Sequence, residues 1–131
     1  MASAVLDASA LLAYMQGEPG ERQVADALVR GCAISVVNVA EVLSKLADEG
    51  QDPAAVLASL GSLGDALEMP EMEAADAVRI AALRPPTKRL GLSLGDRACL
   101  ALAERLGLPV LTADRGWRQL ELALEVVFVR N

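Results

Sequence analysis

The sequence predicts an α/β fold: a central, mainly parallel sheet of four to five short strands with helices on both faces, making three layers. Three observations carry this. Short apolar runs alternate along the chain with longer segments of helical periodicity. Glycine and proline punctuate the boundaries between them. Acidic residues stand at the ends of the apolar runs, the edge at which open α/β sheets gather their polar groups. Residues 1–131 make one ordinary domain, and 53% hydrophobic content is enough for a sizeable core.

Residues 4–6 (Ala4-Val5-Leu6) read as the first strand. A short helix over 9–15 stops at Gly17 and Pro19, and a second spans 20–30. Cys32-Ala33-Ile34-Ser35 is another buried strand, followed by a helix to about Asp48 that closes at Gly50. Pro53 suits the first turn of a helix running to about Leu63. The acidic start Glu71-Met72-Glu73 opens a helix on which Ala74, Ala77, Val78 and Ala81 form an apolar stripe. Arg84-Pro85-Pro86-Thr87-Lys88-Arg89 reads as a loop. A helix over 95–106 ends at Gly107, Pro109 prevents its continuation, and Val110-Leu111-Thr112 is a strand. Val126-Val127-Phe128-Val129 is the last.

Composition excludes several classes of function. There is no histidine, which removes the usual general base, the commonest zinc ligand and the centre of a serine triad. Cys32 and Cys99 lie in apolar segments without CxxC spacing and read as buried, reduced thiols. The amino terminus lacks a basic region, and an acid interrupts its apolar run, so it does not read as a secretory signal. No apolar stretch reaches the roughly 20 residues of a membrane span. A cytoplasmic protein is expected. The net charge of −6 argues against a broad basic nucleic-acid surface. Its distribution softens that conclusion: residues 1–83 hold 4 basic and 13 acidic side chains, residues 84–131 hold 8 and 5.

The acids with chemical potential are Asp7, Glu41, Asp96 and Asp114. Asp7 ends the first strand, Asp114 lies two residues past Thr112, Glu41 lies within Val39-Ala40-Glu41-Val42, and Asp96 opens an apolar helix. Lone carboxylates in such surroundings are costly. Four brought together would repel unless a divalent cation or a basic partner joined them, and oxygen-only donors favour Mg²⁺ or Mn²⁺. Each acid also has a blander reading. Asp7 suits a helix N-cap, in competition with Ser9. Glu41 has Lys45 four residues on, a helix pair worth about 0.3–0.5 kcal/mol, while its apolar neighbours suggest partial burial. Asp96 is favoured by a helix dipole, and Asp114 suits a cap on the turn holding Arg115-Gly116-Trp117. The joint placement favours a site.

Gly91-Leu92-Ser93-Leu94-Gly95 matches the nucleophile-elbow pattern, but no histidine exists to activate Ser93 and no convincing strand precedes it.

Four segments together resemble a known family: Val5-Leu6-Asp7-Ala8-Ser9-Ala10-Leu11-Leu12-Ala13, Val39-Ala40-Glu41-Val42, Leu94-Gly95-Asp96-Arg97-Ala98-Cys99-Leu100-Ala101-Leu102-Ala103 and Val110-Leu111-Thr112-Ala113-Asp114-Arg115-Gly116-Trp117. In order and spacing they are similar to the acidic motifs of PIN domains, particularly the VapC toxins of toxin–antitoxin pairs. The resemblance covers essentially the whole chain. It implies a PIN-like α/β/α fold and a Mg²⁺- or Mn²⁺-dependent endoribonuclease with Asp7, Glu41, Asp96 and Asp114 as its catalytic acids. Ser9 and Thr112 match small hydroxyl positions near the metal. It also implies a homodimer and a cognate antitoxin that silences the enzyme, by placing a basic residue among the carboxylates.

The expected chemistry follows from the substrate. Attack on an anionic phosphodiester needs cationic stabilisation and a nucleophile available at neutral pH. Asp7, Asp96 and Asp114 are the expected metal ligands, with Glu41 orienting or deprotonating the attacking water. Arg97 and Arg115 are candidate contacts to substrate phosphate, with Arg84, Lys88, Arg89 and Arg118 near the same route. Arg97 stands where many relatives carry a small residue. Three aromatics, Tyr14, Trp117 and Phe128, make an extended base-stacking platform a poor expectation. The alternative is a catalytically weak PIN-like module that binds RNA or protein.

Overall fold

In the computed structural model, which describes Met1–Arg130, every strand is short and buried or half-buried, and every one is parallel to its neighbours. The elements run β1 (Ala4–Leu6), α1 (Ala8–Gln16), α2 (Glu21–Arg30), β2 (Cys32–Ile34), α3 (Val36–Asp48), α4 (Pro53–Gly61), β3 (Leu67–Glu68), α5 (Ala74–Ala82), α6 (Arg84–Thr87), α7 (Leu94–Leu106), β4 (Val110–Thr112) and β5 (Val126–Phe128). The sheet order is β3-β2-β1-β4-β5.

Strand periodicity divides the core in two. Ala4, Leu6, Cys32, Ile34 and Leu111 face α1 to α4, packing with Leu11, Val24, Val42 and Leu46. Val5, Ala33 and Val110 face the other way, against Ile80 and Leu83, the α7 residues Ala98, Cys99 and Leu102, and Trp117. The result is the α/β/α sandwich the sequence predicts. Strands buried on both faces read as unbroken apolar runs for this reason. Each fully buried Leu, Ile or Val contributes about 1.5–3 kcal/mol. Both cysteines are buried free thiols, and burial pushes Cys32 up to about 11.

The order also fixes where a site forms. The chain winds outward from β1 through β2 to β3, then returns to the other flank of β1 with β4. The β1–β4 boundary is thus the topological switch point, where crossovers leave in opposite directions and open a crevice at the carboxyl ends of the strands. Leu6 pairs with Leu111, so the next residues on each strand, Asp7 and Thr112, emerge side by side.

Two expectations from sequence need correction. The segment read as a loop at 84–89 is helical, as α6 and a 3-10 turn at Lys88–Leu90; its prolines sit in the first turn, where their missing N–H groups cost nothing. The predicted stripe on α5 is exposed, with Val78 at 70%, and the buried residues there are Asp76 and Ile80. Ile80 and Asp76 mark the inward face of that helix, and the Arg105 guanidinium of α7 pairs with Asp76 at 2.9 Å and donates to the Glu71 carbonyl. The fifth of the four to five strands expected is β3, a two-residue edge strand too short to leave an apolar pattern.

Candidate functional site

Asp7 leaves β1 with extended backbone and caps α1, accepting from the Ala10 amide at 2.8 Å. Ser9 is not the cap. Its hydroxyl donates to Asp7 Oδ1 at 2.8 Å and accepts from the Ala113 amide at 2.9 Å, tying α1 to the end of β4. The Thr112 hydroxyl donates to Asp7 Oδ2 and accepts from the Asp114 amide at 3.0 Å. Two hydroxyls therefore lock the ends of β1 and β4 around one carboxylate. Asp7 is 4% exposed. Its burial raises the carboxyl from 3.8 to about 6, against the opposing hydrogen bonds from Thr112, Ala10 and Ser9 and with a smaller push from Asp96.

The other acids arrive from three elements. Asp96 is the third residue of α7 and forms a reciprocal capping box with Ser93: Asp96 Oδ2 accepts from the Ser93 amide at 2.9 Å, and Ser93 Oγ accepts from the Asp96 amide at 3.1 Å. Ser93 is thus a helix cap, and the nucleophile-elbow pattern has a structural explanation. Asp114 caps the turn Arg115–Gln119 through the Gly116 amide at 2.8 Å. Glu41 projects from α3 and is exposed, contrary to the partial burial its neighbours suggest, because Val39 and Val42 turn inward while Ala40 and Glu41 turn out. Asn38, one turn earlier, donates to Glu41 Oε1 at 2.7 Å.

Asp7, Glu41, Asp96 and Asp114 line one open cleft of about 290 Å³, together with Ala8, Ser9, Leu12 and Lys45. Each of these acids also serves local structure or lies beside a neighbouring hydrogen-bond donor, so the bland and functional readings coexist. Lys45 is the only basic side chain among the cleft's lining residues. It lies 4.0 Å from Glu49, one turn on, in place of the Glu41 pairing suggested by spacing. Arg97 and Arg115 are not among the lining residues. Arg97 donates instead to the Ile80 carbonyl at 3.0 Å, near the carboxyl end of α5, and Arg115 is exposed on the turn after Asp114.

Sequence reasoning missed Lys45 as a cleft residue, and missed Asn38 and Gly95. Asn38 was detectable, since three residues before Glu41 on a helix is the same face. Gly95 gave a weaker signal, a glycine inside a helix with no turn to explain it.

The donor set suits a hard cation. All four groups are carboxylates, and hydroxyls rather than cations hold the buried one. Among the described residues no three acidic, His or Cys side chains converge tightly enough to enclose a metal. The carboxylates line walls, an arrangement compatible with Mg²⁺, which keeps several waters and takes one or two carboxylates plus substrate phosphate.

A sequence model of the PIN domain family matches residues 4–122. The chain belongs to the PIN domain family. No curated protein sequence matches it. Similar solved structures include a toxin–antitoxin complex from Klebsiella pneumoniae, at 23% identity and TM-score 0.71, covering 97% of this chain and 98% of that one. DNA-bound VapBC from Salmonella typhimurium aligns at 18% identity and TM-score 0.72, covering 98% and 99%. VapC20 from Mycobacterium tuberculosis, described as a sarcin-ricin loop cleaving toxin, aligns at 16% and 0.66, covering 85% and 88%. At these identities the likeness is one of fold: this PIN domain has the architecture of VapC-type toxins. No helix among its described residues is long and apolar enough to cross a membrane.

Proposed function

We propose that this PIN domain is a Mg²⁺- or Mn²⁺-dependent endoribonuclease, the toxin of a toxin–antitoxin pair. The observation that carries the reading is the meeting of Asp7, Glu41, Asp96 and Asp114 at one cleft on the sheet's switch point. Asp7, Asp96 and Asp114 are the residues that would hold the cation. When bound, it would supply charge neutralisation at phosphorus and a lower pKa for the attacking water.

The chain's own groups do the rest. Ser9 and Thr112 fix the Asp7 carboxylate through hydrogen bonds, so its orientation does not depend on the ligand. Glu41, exposed at the cleft wall and oriented by Asn38, accepts a proton from water drawn toward the phosphodiester. Lys45 offers an ammonium to the RNA backbone where it enters. Uncompensated acids elsewhere in the cleft would repel that backbone, so RNA binding should strengthen when divalent cation is added. The acidic cleft also suits an antitoxin that inserts a basic side chain. A cytoplasmic homodimer completes the proposal.

A catalytically weak binding module remains the second reading, favoured by the open, wall-like spacing of the acids. Incubating purified protein with a panel of structured RNAs plus Mg²⁺, Mn²⁺ or EDTA, alongside Asp96→Asn, separates the two. Metal-dependent cleavage absent from the variant supports the nuclease. RNA binding without cleavage under any metal supports the module.

A further inference from the structure

We propose that Asn38 and Gly95 are positioning residues that hold the Glu41 carboxylate against the first turn of α7, beside Asp96. This deepens the nuclease reading and rests on it for its catalytic meaning. Asn38 is 1% exposed. Its Nδ2 donates both to Glu41 Oε1 at 2.7 Å and to the Gly95 carbonyl at 2.9 Å, bridging α3 and α7. Only one orientation of the amide allows this, because the reversed amide would set its oxygen against two acceptors. In the observed orientation Oδ1 accepts from no donor among the described residues.

Gly95 supplies the other half. It lies within α7 and is not among the glycines with positive φ, so its backbone does not require glycine. Glycine inside a helix is also unfavourable relative to alanine. Space explains it: a Cβ at Gly95 would meet the Glu41 carboxylate, the far end of a flexible side chain, which would have to swing off α7 to make room. An exposed glutamate otherwise samples several rotamers. Here α3 delivers the carboxylate, Asn38 ties it to α7, and Gly95 leaves the room it occupies. Asp96 is the next residue along, so this contact sets the placement of Glu41 relative to Asp96.

Two double-mutant cycles test the assignment on the intact chain. In single-turnover cleavage with Mn²⁺, Asn38→Ala and Gly95→Ala should each slow the wild-type rate by about 10–100-fold, with RNA affinity in EDTA little changed. In a Glu41→Gln background each should add no more than about two-fold, because coupled residues lose the same interaction only once. Losses that multiply in that background would overturn the proposal, as would an undiminished rate in both single variants. The second cycle needs no cleavage. Gly95→Ala should raise Tm in a Glu41→Ala background, where helix propensity acts alone, and fail to raise it when Glu41 is present. An equal rise in both backgrounds would overturn the steric half. If the wild type cuts no RNA, the nuclease reading fails separately and the thermal cycle still decides the contact. Should Asn38→Ala not fold, Gly95→Ala carries both cycles.

Discussion

Asp7 and Asp76 are both buried carboxylates in the first turns of helices, 4% and 6% exposed, and they live under opposite electrostatics. Asp76 accepts from the Glu73 amide at 2.7 Å and faces Arg105 at 2.9 Å. The amide and the guanidinium hold its carboxyl below the ordinary carboxylate range, against its burial. Beside it lies a small void of about 10 Å³, roughly one water's worth. Asp7 has hydroxyl and amide donors but no cation, burial dominates, and it stands at about 6 on the wall of an open cleft of about 290 Å³. A buried aspartate with a built-in countercharge is part of the scaffold. One with its hydrogen bonds satisfied and no ion-pair partner fits the metal-ligand role proposed for it above.

The strongest break in this comparison is catalytic. Asp96→Asn or Asp7→Asn should cut RNA cleavage by about 10²–10³-fold, while Asp76→Asn should leave cleavage per folded molecule unchanged. Gel-resolved single-turnover rates on all three variants check this, and equal losses in all three would erase the distinction.

Next comes pH. The folded pKa of Asp7 lies above its ordinary value, so its proton is held more tightly in the folded chain. The stability linked to it is full below about pH 4 and is lost as pH rises through about 6. Asp7→Asn in EDTA should therefore be more stable than wild type at pH 8, by up to about 3 kcal/mol, with the gap closing toward pH 4. Asp76 has the opposite sign: its contribution is present above the ordinary aspartate value and lost as pH falls through its depressed pKa. Urea titrations at pH 4, 6 and 8 measure both.

Breaking the scaffold pair should come third. Arg105→Ala leaves Asp76 without its cation and should destabilise the fold, read as a lower urea midpoint at pH 7. Asp76→Ala added to it should recover part of that loss. The smallest effect is expected at Lys45: Lys45→Ala should raise KM for RNA a few-fold with kcat retained, and more so at low salt.

The acids themselves were legible in the chain because charge at the end of an apolar strand is conspicuous. So were β1, β2, β4 and the glycine stops of α1 and α7, Gly17 and Gly107, whose signals are local. The route of the arginines was not legible. Arg97 read as a substrate contact and Arg105 gave no signal, yet one donates to the Ile80 carbonyl and the other clamps Asp76. Which way a long cationic side chain turns depends on carbonyls and carboxylates 17 to 34 residues away. The apolar stripe on α5 failed because alanines contribute little burial energy, and the inward face is the one carrying Ile80 and the Asp76 that pairs with Arg105.

By itself, then, the sequence determined the α/β class, the parallel sheet and the four acids, because hydrophobic period, strand length and helix stop signals act within a few residues. The tertiary structure alone decided that β4 returns to the far side of β1, so that Asp7 and Thr112 meet. It also decided that Lys45 borders the acids and that Asn38 reaches across to Gly95. Those contacts join segments distant in the chain, and their energies depend on burial and on which polar partner comes within hydrogen-bond reach, quantities that exist only once the core has closed.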